Sequence, residues 1–347
     1  MSSGGRAICR DSTISPATSG KHMQPRLSTR TRIFGALLVT ITYAVCFTLI
    51  KAGLEFAPPL RFAGLRTVVA GLVLLGIVLA RREPVEPPRR IWLPLVGLSL
   101  VATTIAYGAM FLSPGRTGAG IASVLGNAQP LVTVALASIF VGEHLTRGKS
   151  MALALGLGGV ALIAYPALSG PGAYGVYGAV LALLASIGSA GGSILVKRMG
   201  EMPSLLATTG WSLILGSVPL LLTSSLAESS ETISWNVTFI GLLLFLAVVG
   251  TALASALWYW LVQRDDVGRL SMYLFLVPVV GLIIAALVYG EPIGALNGVG
   301  VTLTIVGIGA AVLESRFAVA EHSGGDAAPA IAPDGSSASG TVMGAGD

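Results

Sequence analysis

The sequence predicts an all-α integral membrane protein: ten transmembrane helices arranged as two inverted five-helix repeats. Three observations lead there. The chain is 54% hydrophobic and only 11% charged, where a soluble domain is usually about 25% charged. Ten apolar runs come near the ~20 residues needed to cross a bilayer: 33–50, 60–80, 93–111, 118–140, 149–166, 175–196, 205–226, 238–261, 268–289 and 293–313. A set of residues also recurs at a fixed distance. Gly120, Ser123, Pro130, Ala137, Gly142, Glu143 and Gly159 return 148 positions later as Gly268, Ser271, Pro278, Ala285, Gly290, Glu291 and Gly307. Duplicated halves of this kind are a common plan of secondary transporters.

Charge gives the orientation. With ten spans, all 21 Lys and Arg except Lys51, Arg61, Arg66 and Arg116 fall in the tails and connections of one side, which the positive-inside rule assigns to the cytoplasm. Both termini are then cytoplasmic, in a plasma or inner cell membrane. Five spans per half make the second half enter inverted. The domains expected are a disordered cytoplasmic N-tail over 1–32, a first repeat over 33–166, a second over 175–313 and a disordered C-tail over 322–347, both tails being rich in small and polar residues. Met23 is an alternative start to Met1, and the N-tail has no apolar core resembling a signal peptide. Cys9 and Cys46 are too few and too far apart for a disulfide or metal framework.

Taken in chain order, the first span carries Tyr43 and ends in Lys51, whose repeat partner is Lys197; both are gate residues or interfacial anchors. Arg66 is the only basic residue well inside a span. Placing it there costs about 2.5–3.5 kcal/mol, so it either faces a polar cavity and meets a substrate carboxylate or helix carbonyls, or snorkels to the headgroups or makes purely structural bonds. Tyr107 lies deep in the third span. Asn127 and Gln129 on the fourth must find polar partners in lipid, by lining a cavity or by joining helices. Pro130 and Pro278 each remove a backbone hydrogen bond, giving a hinge near a substrate path or a packing kink. Glu143 and Glu291 follow a glycine at span ends, where each caps the next helix or takes part in gating. Trp211, Trp258 and Tyr273 join the aromatic set, split between a binding cage and the interfacial belt.

These residues resemble the EamA-type domains of the drug/metabolite transporter superfamily, ten-helix permeases with two five-helix repeats. The resemblance rests on Ser123 to Pro130 leading to Val-Gly-Glu at 141–143, and Ser271 to Pro278 leading to Tyr-Gly-Glu at 289–291. Lys51, Pro59, Arg66, Lys197 and Pro203 extend it over nearly the whole chain outside the tails. The second half departs from the first: Trp211 stands roughly where Arg66 would be, and Phe275 where Asn127 would be. The resemblance implies a permease of small metabolites, amino acids or related amphipathic compounds, acting in efflux by alternating access.

Other classes fit less well. Gly142 to Ser150 ends Gly-Lys-Ser, but Glu143 occupies the glycine position a phosphate loop needs. An intramembrane enzyme needs a nucleophile and base or metal ligands at depth, whereas His22, His144 and His322 lie in tails or a loop and no Asp or Glu lies deep in a span. No catalytic set, metal site, cofactor or nucleic-acid partner is expected; the partners are a small-molecule solute and the lipid bilayer. The oligomeric state is monomer or homodimer. A non-transporting sensor or scaffold on the same fold is the alternative.

Overall fold

A computed structural model describes residues 27–113, 128–168, 176–200, 202–289 and 294–324. Among them all regular structure is helical. In chain order the helices are α1 (Thr29–Gly53), α2 (Pro59–Ala80), α3 (Arg89–Leu112), α4 (Gln129–Phe140), α5 (Arg147–Leu168), α6 (Val176–Met199), α7 (Leu205–Ala227), α8 (Val237–Arg264), α9 (Val267–Met272), α10 (Leu276–Tyr289) and α11 (Ala295–Gly324). Six of these, α1, α2, α3, α6, α7 and α8, are long and apolar enough to cross a membrane by length and composition.

Starts are set by local chemistry. Ser28, Ser204, Asn236 and Asp266 each accept a hydrogen bond from a backbone N–H of the first turn of α1, α7, α8 and α9 respectively. At α2 the cap position is Pro58 and the first helical residue is Pro59, so neither supplies a side-chain cap. The free N–H groups of Leu60 and Arg61 instead donate to the Glu228 carboxylate at 2.8 and 3.0 Å, from the end of α7. At the other end of the same pair, Ser204 donates to Glu83 just beyond α2. α2 and α7 therefore run antiparallel and hold each other at both ends. Glu228 is only 5% exposed.

The closest crossings use glycine. A Cβ on Gly71 of α2 would sit 2.8 Å from Gly210 O of α7. The repeat pair Gly159 and Gly307 plays this role between α5 and α11: a Cβ on Gly159 would sit 2.5 Å from Gly300 O and closer still to Thr304 Oγ1, and one on Gly307 would sit 2.9 Å from Leu155 Cβ. Among the described residues, α2 with α7 and α5 with α11 form the most extensive interfaces, and α1 also packs on α10 and α4 on α6.

The sequence gives no warning of two π-helical stretches, Ser99–Ile105 in α3 and Val248–Leu253 in α8. A π turn leaves a carbonyl short of its usual partner. A threonine five residues on supplies one in α8, where Thr251 Oγ1 donates to Leu246 O at 2.9 Å; in α3 Thr104 Oγ1 lies 3.4 Å from Ser99 O but donates at 2.8 Å to Gly216 O of α7.

The prolines differ from expectation. Pro130 lies in the first turn of α4, and Pro278 in the first turn of α10, directly after a 3-10 turn at Tyr273–Phe275. First-turn N–H groups have no intrahelical partner in any case, so neither proline removes a hydrogen bond from the helix it opens; Pro278 follows the 3-10 turn directly, and residues 114–127 before α4 lie outside the described ones.

Candidate functional site

A cavity opens between α1, α2, α3, α4, α6, α7, α8 and α10. Both π stretches border it, through Ala102 and Thr103 on one side and Gly250 on the other. Tyr43, Tyr107, Trp258 and Tyr259 give it aromatic walls, and Ser189, Ser193, Thr209, Ser212 and Ser255 give it hydroxyls. Arg66 is the only charged residue among the described lining.

Arg66 is 2% exposed, so snorkelling is not how it is accommodated. Its Nε donates to Thr251 Oγ1 at 2.6 Å and to Leu246 O at 3.2 Å, and Nη2 donates to Gly250 O at 3.2 Å. These acceptors belong to the π stretch of α8 or the turn before it. The guanidinium also stands over the rings of Tyr107 at 5.5 Å and Phe111 at 5.8 Å. Nη1 is buried with no hydrogen-bond partner. The fork is thus held through Nε and Nη2, with Nη1 left unpaired.

Of the residues singled out from sequence, Arg66, Tyr43, Tyr107, Gln129, Trp258 and Pro130 line this cavity. Trp258 Nε1 donates to Ser193 Oγ at 2.9 Å, which fixes its ring. Trp211 is elsewhere: its indole donates to Val85 O at 2.9 Å and packs on Trp92 at 5.8 Å, sealing the end of α3. Nor is it the counterpart of Arg66. α2 begins at 59 and α7 at 205, and carrying that offset along the helix pairs Arg66 with Ser212, which does line the cavity. Tyr273 is buried in the core, where its carbonyl accepts from Thr40. Pro278 is half-buried and Lys51 exposed, both outside the cavity lining. Asn127 and Glu291 lie outside the described residues.

Glu143 caps a helix, but not the next one. Gly142 takes a left-handed φ of 76° to end α4, with Glu143 N donating to Ala137 O. The carboxylate then reaches α9, accepting from Val267 N at 2.8 Å and Gly268 N at 3.0 Å. A Cβ on Gly268 would lie 3.1 Å from that carboxylate. Ala137, Gly142, Glu143 and Gly268, all members of the repeat, therefore form one interlocking clasp.

Around the clasp, Lys149 Nζ stands 2.7 Å from Asp266 and 3.5 Å from Glu143, Arg32 pairs with Asp265 at 3.4 Å, and Lys197 donates to the carbonyls of Val262 and Asp265. Burial, with the Asp266 carboxyl beside it, pushes the Glu143 pKa up to about 7. Burial works the same way on Asp266, but its bond with Glu143 and the Lys149 ammonium overcome this and hold it below the ordinary value. A carboxyl raised on assembly stabilises the clasp when protonated, so that contribution fades as pH rises from the ordinary 4.5 through about 7. The purified protein is expected to lose a few degrees of Tm between pH 5 and about 7.5, and Glu143→Gln to flatten that slope. An unchanged slope in the variant means another group titrates.

The sequence pattern of the EamA-like transporter family matches residues 30–165 and, a second time, 176–313. A Bacillus subtilis protein named an uncharacterized transporter, YvbV, is 30% identical over 280 residues, 81% of this chain and 90% of its own length. A Salmonella typhimurium protein named a probable amino-acid metabolite efflux pump is 31% identical over 287 residues, 79% of this chain and 92% of its own. One crystal structure superposes with a TM-score of 0.70 at 17% identity, covering 84% of this chain and all of that one, a likeness of fold alone.

Proposed function

The chain belongs to the EamA-like transporter family, and from that premise we propose that it is a secondary permease exporting small amino-acid-derived metabolites by alternating access. The observation that carries this reading is the cavity bordered by the π-helical stretches of α3 and α8, with Arg66 the only charged residue among its described lining. Irregular backbone at membrane depth is tolerated where it lines such a cavity. The relatives named amino-acid metabolite efflux pumps support the solute class and the direction.

The finer architecture belongs to the same reading: ten spans in two inverted repeats, over 33–166 and 175–313, with both termini cytoplasmic in the cell membrane. The antiparallel α2 and α7, the glycine crossings of α5 and α11 and the paired π stretches all support it. In this scheme the Glu143 clasp closes the cytoplasmic side and Arg66, Tyr43, Tyr107, Gln129 and Trp258 meet the solute.

Two measurements test it. Purified protein in liposomes is expected to move amino-acid-derived metabolites down an imposed gradient; no flux across a broad panel sinks the permease reading. In a background with Cys9 and Cys46 replaced, a cysteine at exposed Glu231 is expected to react with impermeant reagents from outside, and one at exposed Glu86 not to. Glu228 is unsuited to this because it caps α2. The reverse pattern would overturn the topology.

A further inference from the structure

We infer that the cavity is a carboxylate site: it takes compounds with a single negative charge and an apolar or aromatic body, and it discriminates against cations of the same shape. This rests on the permease reading and names the chemistry its cavity selects. The charge balance comes first. Arg66 is the only charged residue among the described lining, and no carboxylate stands there to receive an ammonium. A buried cation without a counter-charge favours a ligand that brings one.

Geometry sharpens this. Nε and Nη2 are committed to Thr251, Leu246 and Gly250, so the fork cannot swing. Nη1 is buried with no partner, and an unmet donor of a charged group is expensive to leave dry. A carboxylate oxygen satisfies it without disturbing the other bonds. Two of the lining hydroxyls are already committed, Thr209 donating to Leu205 O and Ser193 to Ser189 O on their own helices, and a neutral hydroxyl is in any case a weaker anion partner than a guanidinium.

The aromatic walls do not rescue a cation. Tyr107 could in principle face an ammonium, but the Arg66 guanidinium already stands over that ring at 5.5 Å. A second positive charge there would be repelled across a poorly screened gap. The rings instead suit the neutral body of the solute, against Tyr43 and Trp258.

Three probes share a phenyl ring and differ in charge: 3-phenyllactate is an anion, phenylalanine a zwitterion and phenethylamine a cation. Binding to the purified full-length protein is measured by calorimetry at pH 7.5. Phenyllactate is expected to bind at least tenfold more tightly than phenethylamine, with phenylalanine between them. Arg66→Gln is expected to erase the order and Arg66→Lys to keep part of it, and the series on the unaltered protein stands even where a variant fails to fold. Phenethylamine binding as tightly as phenyllactate, or no binding of phenyllactate, overturns the inference. Liposome flux over a panel blind to charge is read separately, so a protein that transports but ranks the probes otherwise fails this inference alone.

Discussion

Arg66→Ala is expected to abolish transport while leaving the chain inserted in the membrane. The side chain joins two things that must move together, the cavity wall and the π stretch of α8, through three hydrogen bonds of 2.6–3.2 Å. Alanine removes the only charge among the described lining and the bonds the guanidinium makes to Thr251, Leu246 and Gly250, where a lost bond to a charged donor costs about 1.5–3 kcal/mol. Leu246 O keeps its bond from Thr251, which limits the damage to the helix. Arg66→Lys is expected to recover little, because a point ammonium cannot reproduce the planar fork that grips two sites and presents a third. Flux in liposomes, with membrane abundance and Tm measured in parallel, separates the two effects. Full flux by the alanine variant at normal abundance would reduce Arg66 to a packing residue.

Gly159→Leu is expected to remove folded protein altogether. The α5 to α11 crossing leaves no room for even a Cβ, since the obstacles include the backbone carbonyl of Gly300 at 2.5 Å, which no rotamer change can move. Overpacking a dense interface typically costs about 1–3 kcal/mol, and a leucine forced against backbone lies at or beyond the upper end. The neighbour supplies the control. A Cβ on Gly158 meets nothing within 4 Å, so Gly158→Ala should be tolerated and, by helix propensity, stabilise by up to about 1 kcal/mol. Detergent-extracted yield and Tm of the two variants read the contrast, and equal behaviour would mean the crossing is looser than described.

Much of this was legible in the residues. Six apolar runs give α1, α2, α3, α6, α7 and α8 to within a few positions, because a bilayer demands length and apolarity from each span independently of its neighbours; the run 268–289 is instead broken at Tyr273–Phe275, and α11 continues past 313 to Gly324. Arg66 stood out because a lone cation in an apolar run must be accommodated somehow. The repeat marked Ala137, Gly142, Glu143, Gly159 and Gly268 as important, but not why. A clasp between α4 and α9 and a crossing between α5 and α11 are contacts over more than a hundred residues, and spacing along the chain does not reveal which distant helix a residue meets. Trp211 was misread for a related reason: position along a span says nothing of which face a residue occupies, and its indole faces Val85 and Trp92.

The π stretches were missed although a trace existed. Thr104 and Thr251 stand at nearly the repeat spacing, each with its hydroxyl near the carbonyl five residues back, although Thr104 makes its shorter bond to Gly216 O. A threonine in an apolar span has many uses, so nothing distinguishes this one without coordinates. Nothing in the spacing of the residues singles out Glu228 as the cap of a helix 168 positions earlier. The absence of a capping side chain there was the available clue, since Leu60 and Arg61 need an acceptor from somewhere.

That borrowed cap has a consequence for how the protein is made. Leu60 emerges from the ribosome 168 residues before Glu228, and at about 5–20 residues per second the interval is roughly 8–34 s. Throughout it α2 lies in the bilayer without the acid that ends it or the helix that covers it. The early half is thus a client of the insertion machinery rather than a finished unit, and a messenger truncated before codon 228 yields a fragment that quality control in the membrane can recognise by the bare start of that one helix.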